Sequence, residues 1–285
     1  MSIEIEIREL TENRIKLLVK GTNPVFMNML RRTIIADVPK MAIETVDFHH
    51  GPLGTMGEGE NSVEYESTSP LFDEIIAHRL GMIPIPTDLD LFVPRNECSC
   101  GGEGCPNCTI MYSINKRGPC TVYSGDLEPV SNSAYRIKDD LIPIVKLAEG
   151  QALLIYAIAE LGTGKQHAKW QAAQAVGYQY YPKITINDDV CEYCGECVTA
   201  CPRKVLKLDI ADKSLIVENL EACNLCNACV ESCEPGAIKV DYDDTAFLFS
   251  FETDSSYTPE VVLKKAIDIL NKKFNTFIEE MGKLS

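Results

Sequence analysis

Eight of the chain's 13 cysteines fall between Cys191 and Cys233 in two runs of identical spacing, Cys191-x2-Cys194-x2-Cys197-x3-Cys201 and Cys223-x2-Cys226-x2-Cys229-x3-Cys233. Three thiolates spaced two residues apart can wrap a tight loop around one face of a metal cluster, and the fourth ligand must then approach from elsewhere in the chain. Four more cysteines, Cys98, Cys100, Cys105 and Cys108, share a short Gly-rich loop, and Cys120 stands alone. The acidic, alternating start Ser2-Ile3-Glu4-Ile5-Glu6 lacks the basic-then-apolar pattern of a secretory signal. A cytoplasmic location is therefore expected, where grouped cysteines serve metal or redox sites rather than disulfides.

The repeated spacing is that of bacterial ferredoxins, in which the last cysteine of each run serves the other cluster. It predicts one [4Fe–4S] cluster on Cys191, Cys194, Cys197 and Cys233, and a second on Cys223, Cys226, Cys229 and Cys201. Small residues such as Gly195 and Ala228 would let the backbone approach the sulfides. The runs differ in one respect: Pro202 follows Cys201 directly, whereas Cys233-Glu234-Pro235 carries its proline one place late, which bears on Cys233 as a ligand. Zinc, which also takes four cysteines from CxxC pairs, is the alternative occupant. The loop Cys98-x-Cys100-x4-Cys105-x2-Cys108 has a zinc spacing, with free thiols or disulfides as the other readings. Cys120 reads as a small buried hydrophobe.

Composition excludes several functions. A net charge of −15 with no Lys/Arg-rich run argues against direct, strong nucleic-acid binding. No stretch approaches the roughly 20 apolar residues of a membrane helix. Gly162-Thr163-Gly164-Lys165 suggests a phosphate loop, but Ala159 and Gln166 occupy positions where that motif needs Gly and Ser or Thr. No HExxH or GxSxG is present, and Asp88-Leu89-Asp90 is too sparse for a catalytic magnesium site. No catalytic residue is expected in this chain.

Around the cysteines stand elements able to position them. Ile3, Ile5 and Ile7 alternate with acidic residues as a strand, and a second strand over 14–19 follows a Thr-Glu-Asn turn. Asn23 and Pro24 open a helix whose stripe carries Phe26, Leu30 and Ile34. At the other end Phe247, Phe249 and Phe251 alternate as a strand. Thr258 and Pro259 then open a helix with Leu263, Ile267, Leu270, Phe274, Phe277 and Met281 on a heptad-like seam, widened by Val262, Ala266 and Ile269. The two strand–helix units predict one α+β domain with everything between them inserted.

The block from Asn23-Pro24-Val25-Phe26-Met27-Asn28-Met29-Leu30-Arg31-Arg32 through Asp37-Val38-Pro39-Lys40-Met41-Ala42-Ile43 resembles the signature helix of alpha-like RNA polymerase subunits. Ser69-Pro70-Leu71-Phe72-Asp73-Glu74 through His78-Arg79-Leu80-Gly81-Met82-Ile83-Pro84-Ile85 is similar to a second block of that family, and Gly164-Lys165-Gln166-His167-Ala168-Lys169-Trp170 to a third. A ferredoxin-like insert after the third block resembles the archaeal form, counterpart of the eukaryotic third-largest subunit. The 98–108 loop resembles that subunit's zinc loop, with one more residue in its central gap.

The resemblance implies a discontinuous dimerisation domain over 1–48 plus 243–285, an inserted mostly-β domain over 49–182 and a ferredoxin-like domain over 183–242. It further implies a non-catalytic scaffold of DNA-directed RNA polymerase, a nucleotidyltransferase complex. The chain would pair with a small alpha-like subunit of L type, then collect other small subunits and the second-largest subunit. Phe26, Leu30, Ile34, Leu263, Ile267, Leu270, Phe274 and Phe277 would form the dimer surfaces. Arg31, Arg32, Arg79, Lys165 and His167 would make polar contacts in the assembly. The rival reading is a ferredoxin-type electron-transfer subunit of an oxidoreductase. A narrower one makes the clusters redox sensors whose loss loosens the insert.

Overall fold

The computed structural model describes residues 2–56 and 63–283. It is an α+β chain, mostly strand with few helices. By packing it divides into two compact units, Met1–Arg31 with Ala175–Phe251, and Arg32–Gln174 with Glu252–Ser285.

In the first unit, β1 (Glu4–Leu10) and β2 (Arg14–Lys20) form an antiparallel hairpin. The Thr11 hydroxyl closes its turn by accepting the Arg14 N–H at 3.0 Å. The apolar alternation of β1 does give a strand, but Ile3, Ile5 and Ile7 are exposed, and the buried side chains Ile15, Leu17, Leu18 and Val19 belong to β2. Asn23 caps α1 (Pro24–Ala36), its side chain accepting the Phe26 N–H at 2.9 Å.

The second unit begins within that helix and continues through β3 (Pro39–Phe48), β4 (Gly51–Met56), β5 (Val63–Ser67), α2 (Asp73–Gly81) and β6 (Thr109–Arg117). After these come β7 (Cys120–Tyr123), β8 (Glu128–Pro129), β9 (Pro143–Leu147) and β10 (Gln151–Thr163). One sheet runs β4-β5-β10-β6-β8, with β3 also on β10, and β7 pairs β9 separately. The inner face of β10 carries Leu153, Ile155, Ala157 and Ala159, which join Met41, Ile43, Ile76, Leu80, Ile110, Tyr112 and Ile114 in the main core. Alternation of period two explains why one face of β10 is apolar while Tyr156 on the other is exposed.

β11 (Ala173–Ile186) leads into the cysteine-rich segment, and β14 (Ile238–Thr253) leads out of it. The four-stranded order β1-β2-β14-β11 makes these two long strands neighbours and brings a strand from each end of the chain into one sheet. Between them lie α3 (Glu196–Ala200), the hairpin β12 (Leu206–Asp209) with β13 (Ser214–Val217), and α4 (Ala228–Glu231).

The chain closes with α5 (Pro259–Gly282). Thr258 occupies its N-cap position but its hydroxyl makes no capping bond. Its carbonyl instead accepts the Val261 and Val262 N–H groups, so the proline at the first turn and the extended Thr258 backbone start the helix. The buried residues of α5 are Pro259, Val262, Ala266 and Leu270, and every residue described from 271 to 283 is exposed.

The lead-in to α5 is held by a polar cluster. Lys40, 3% exposed, pairs with Asp254, whose other oxygen takes the Ser256 hydroxyl at 2.5 Å, while the Tyr257 hydroxyl donates to the Pro39 carbonyl at 2.7 Å. Removing one partner of a buried ion pair strands the other, at about 3–5 kcal/mol. Asp254→Ala is therefore expected to cost about 3 kcal/mol, the low end because the carboxylate is 23% exposed. Thermal unfolding of the variant, at about 2–4 °C per kcal/mol, should read this as a fall of about 6–12 °C.

Candidate metal centres

The two cysteine runs fold as an internal repeat. Each residue of the first has its counterpart 32 positions later, Cys191 with Cys223 through Cys201 with Cys233. Left-handed backbone recurs at the same places: Tyr193 and Leu225, Gly195 and Asn227, Lys204 and Gly236. These conformations bend each loop at matching places, and a short helix, α3 or α4, starts one residue before the third cysteine. The counterpart of Gly195 is thus Asn227, which tolerates the left-handed region. Ala228, the small residue beside it, begins α4.

The fourth cysteines are matched as well. Cys201 Sγ accepts the Val205 N–H at 3.4 Å, and Cys233 Sγ accepts the Ala237 N–H at 3.3 Å. The late proline leaves this relation intact, and Pro235 instead lines the same cavity as Cys233. That cavity is bounded by Cys191, Cys194, Cys197 and Cys233 with Leu208, Leu215 and Ile238.

Cys197 and Cys229, the third cysteines of the two runs, sit among different thiol neighbours. Burial raises the Cys197 thiol above its ordinary range, and Cys233, Cys194 and Cys191 add to the shift as charged neighbours, Cys233 most strongly. Burial likewise raises Cys229, and its thiol neighbours are Cys201, Cys223 and Cys226, with Cys201 first. In each set the strongest thiol neighbour comes from the opposite run. The cysteines also belong to the local core, where Cys197 and Cys229 pack with Leu206, Leu215 and Ile238.

The 98–108 loop has a different geometry. Its four sulfur atoms all lie within 4.8 Å of one another. The separations are 3.5 Å for Cys98–Cys105, 3.7 Å for Cys100–Cys108 and 3.8 Å for Cys105–Cys108, and all four thiols are free. Four sulfurs about 2.3 Å from a central zinc stand about 3.8 Å apart, so this donor set fits a single tetrahedral ion. Among the described residues it is the only such tight group.

Backbone donors reinforce the loop. The Gly104 N–H, then the Cys98 thiol and the Gly102 N–H, bring Cys100 down to about 6, while desolvation pushes the buried Cys108 up to about 12. Gly102 and Gly104 adopt φ of +88° and +99°, which a side chain would strain. Arg95, not anticipated from the sequence, donates to the carbonyls of Gly102 at 2.8 Å and Glu103 at 3.3 Å and pairs with Glu160 of β10 at 3.1 Å. Cys120 is partly exposed rather than buried, its thiol donating to the Arg117 carbonyl at 3.3 Å.

The remaining expected residues separate into inward and outward sets. Leu30, Ile34 and Leu270 are buried within this chain, Phe26 and Leu263 are half-buried, and Ile267, Phe274 and Phe277 are exposed. Arg79 is engaged internally, donating to the Ile144 carbonyl at 2.6 Å, and Arg31 bonds the Asn28 side chain. Gly162 and Gly164 prove to be packing residues. A Cβ on the first would lie 2.3 Å from the Trp170 ring, and on the second 2.1 Å from the Ile35 carbonyl oxygen. Asp88 accepts the Asp90 N–H at 2.9 Å and closes a local turn. No described helix is long and apolar enough to cross a membrane.

Comparison with known proteins agrees with this layout. Residues 61–178 match the RNA polymerase Rpb3/RpoA insert domain, and residues 175–238 match the 4Fe-4S dicluster domain. The chain is 42% identical over 285 residues to DNA-directed RNA polymerase subunit Rpo3 of Archaeoglobus fulgidus, covering 100% of this chain and 98% of that one. Subunits of the same name from Picrophilus torridus (41% over 278 residues, 98% and 99% covered) and Thermoplasma volcanium (41% over 280 residues, 98% and 100% covered) are similar along their whole lengths. With the insert domain and the dicluster domain in the order the fold displays, and a likeness running from end to end, the chain belongs to the Rpo3 family of DNA-directed RNA polymerase subunits.

Proposed function

We propose that the chain is a non-catalytic assembly scaffold of DNA-directed RNA polymerase, pairing with the small alpha-like subunit, L in archaea, before docking other small subunits and the second-largest subunit. The observation that carries this reading is the final stretch of α5, where Phe274, Phe277, Ile278 and Met281 are 48–66% exposed on a helix that contributes no buried residue after Leu270. An apolar helix face of this size is a partner surface. The expected division into 1–48 plus 243–285, 49–182 and 183–242 suits that role, because β2 and β14, which carry parts of the first and last segments, are neighbours in one sheet.

Two [4Fe–4S] clusters fit the two thiol sets, Cys191, Cys194, Cys197 with Cys233, and Cys223, Cys226, Cys229 with Cys201. Such clusters supply strong iron–thiolate bonds and a one-electron couple. The chain's own contribution is to hold each set on a bent loop, cover it with aliphatic side chains and place N–H donors at Cys201 and Cys233. Cys98, Cys100, Cys105 and Cys108 would hold one structural zinc. An electron-carrier role would account for residues 175–238 but not for the insert-domain match over 61–178.

The test is anaerobic co-expression with the small alpha-like subunit, followed by size exclusion and metal analysis of the complex. A stable 1:1 heterodimer with about eight iron and one zinc per chain is the expected result. A monomer that ignores the partner, carries the iron and is readily reduced would sink the scaffold reading.

A further inference from the structure

The guanidinium of Arg95 touches the metal loop only through its peptides. Its Nε donates to the Gly102 carbonyl at 2.8 Å and an Nη to the Glu103 carbonyl at 3.3 Å. The Gly102 and Glu103 carbonyls lie between the second ligand, Cys100, and the third, Cys105, so the guanidinium spans the turn that joins the two halves of the donor set. Glu160 holds the guanidinium in place from β10, a strand of the main core, with Nη to Oε2 at 3.1 Å. Arg95 itself sits in the short 3-10 turn Arg95–Glu97, immediately before the first ligand, where its carbonyl accepts the Cys98 N–H at 3.4 Å.

We propose that Arg95 is the positioning residue of the 98–108 site: by clamping the Gly102 and Glu103 carbonyls it fixes the turn between Cys100 and Cys105 and sets how tightly the loop retains its metal. The inference rests on the zinc reading of these four cysteines and adds the residue that governs retention. Lysine cannot substitute fully, because an ammonium lacks the planar fork that reaches two successive carbonyls and a carboxylate together. Among metal sites, loss of an outer partner that orients a ligand costs about 10–100-fold in affinity.

The experiment uses the full chain, purified anaerobically, with release of zinc to a chromogenic chelator followed in time for wild type, Arg95→Gln and Arg95→Lys. Iron content and thermal midpoint are measured on the same samples. Arg95→Gln is expected to release zinc at least about tenfold faster, Arg95→Lys by an intermediate factor, both with wild-type iron content. Glu160→Gln, which leaves the guanidinium fork in place but frees it from β10, is expected to accelerate release less than Arg95→Gln. Wild-type release from Arg95→Gln in a zinc-loaded chain would overturn the inference and leave the zinc site standing. Parallel losses of iron, zinc and melting temperature would also overturn it, since Arg95 would then be a general fold residue. A wild-type chain that retains no zinc would remove the metal reading itself and this inference with it.

Discussion

Phe274→Asp combined with Phe277→Asp is expected to weaken the heterodimer with the small alpha-like subunit by at least about 100-fold, while leaving the isolated chain folded and iron-loaded. The two rings are 48% and 64% exposed in this chain, so its own core does not depend on them. Fully burying a phenylalanine stabilises by about 1.5–3 kcal/mol. Two rings that are half covered already leave about 3 kcal/mol to be gained on association, which is about 100-fold in affinity, and an aspartate buried in their place adds a further penalty. Titration of the partner by an equilibrium binding method checks the magnitude. Unchanged affinity would mean that α5 meets something other than this partner. Leu30→Asp and Ile34→Asp are poor probes of the same surface, because both side chains are buried in the chain and their replacement would unfold it.

The second large effect concerns ligand exchange between the two cysteine runs. Cys197→Ala with Cys233→Ala is expected to remove one cluster and leave about four iron per chain, whereas Cys197→Ala with Cys201→Ala should remove both. If each run served its own cluster the two results would be reversed, so the pair of double variants separates the alternatives by iron analysis alone. The expectation follows from the thiol sets, in which Cys233 is the strongest thiol neighbour of Cys197 and Cys201 that of Cys229. The Cys197/Cys201 variant should also lose protease resistance across 187–237, since the aliphatic core there is small and incorporates the cysteines themselves. In such segments metal binding is folding free energy.

These two results bear on how the dicluster segment sits in the chain. It is entered and left by β11 and β14, long strands that are neighbours in the sheet containing β1 and β2. The Asn187 N–H donates to the Ala237 carbonyl at 2.8 Å, so pairing continues to the edge of the cysteine loops. Glu221, two residues before Cys223, also pairs with Arg8 of β1 at 2.6 Å. Order in the loops is thereby tied to the terminal hairpin rather than to a flexible linker. Cluster loss is expected to raise hydrogen exchange in β1 and β2 as well as in the loops, and exchange confined to the loops would refute that link.

Much of this was legible in the sequence. Ligand spacing is a local property, because three thiolates two residues apart can reach one cluster whatever surrounds them. Cys191 to Cys233 therefore revealed their chemistry directly. The strand–helix units at both ends were equally visible, since apolar periods of two and of 3.6 are properties of the backbone itself. The long blocks around Asn23, Ser69 and Gly164 carried the family.

Tertiary structure decided which of several equally apolar faces is used. On α5 the seam Leu263, Ile267, Leu270, Phe274, Phe277 and Met281 and the residues that widen it, Val262, Ala266 and Ile269, are all apolar, and only packing buries Val262, Ala266 and Leu270 and leaves Ile267, Phe274, Phe277 and Met281 exposed. The same holds for β1, whose alternation is that of a half-buried strand but whose isoleucines are exposed while β2 supplies the buried side chains. Gly162 and Gly164 read as a failed phosphate loop because the Trp170 ring and the Ile35 carbonyl that exclude a side chain there come from other elements. Arg95 and Glu160 lie 65 residues apart and meet only when β10 passes beside the metal loop. Spacing along the chain dictates which ligands can gather, because covalent connectivity enforces it. Which face is buried, and which distant charge holds a loop in place, depends on what the fold brings alongside.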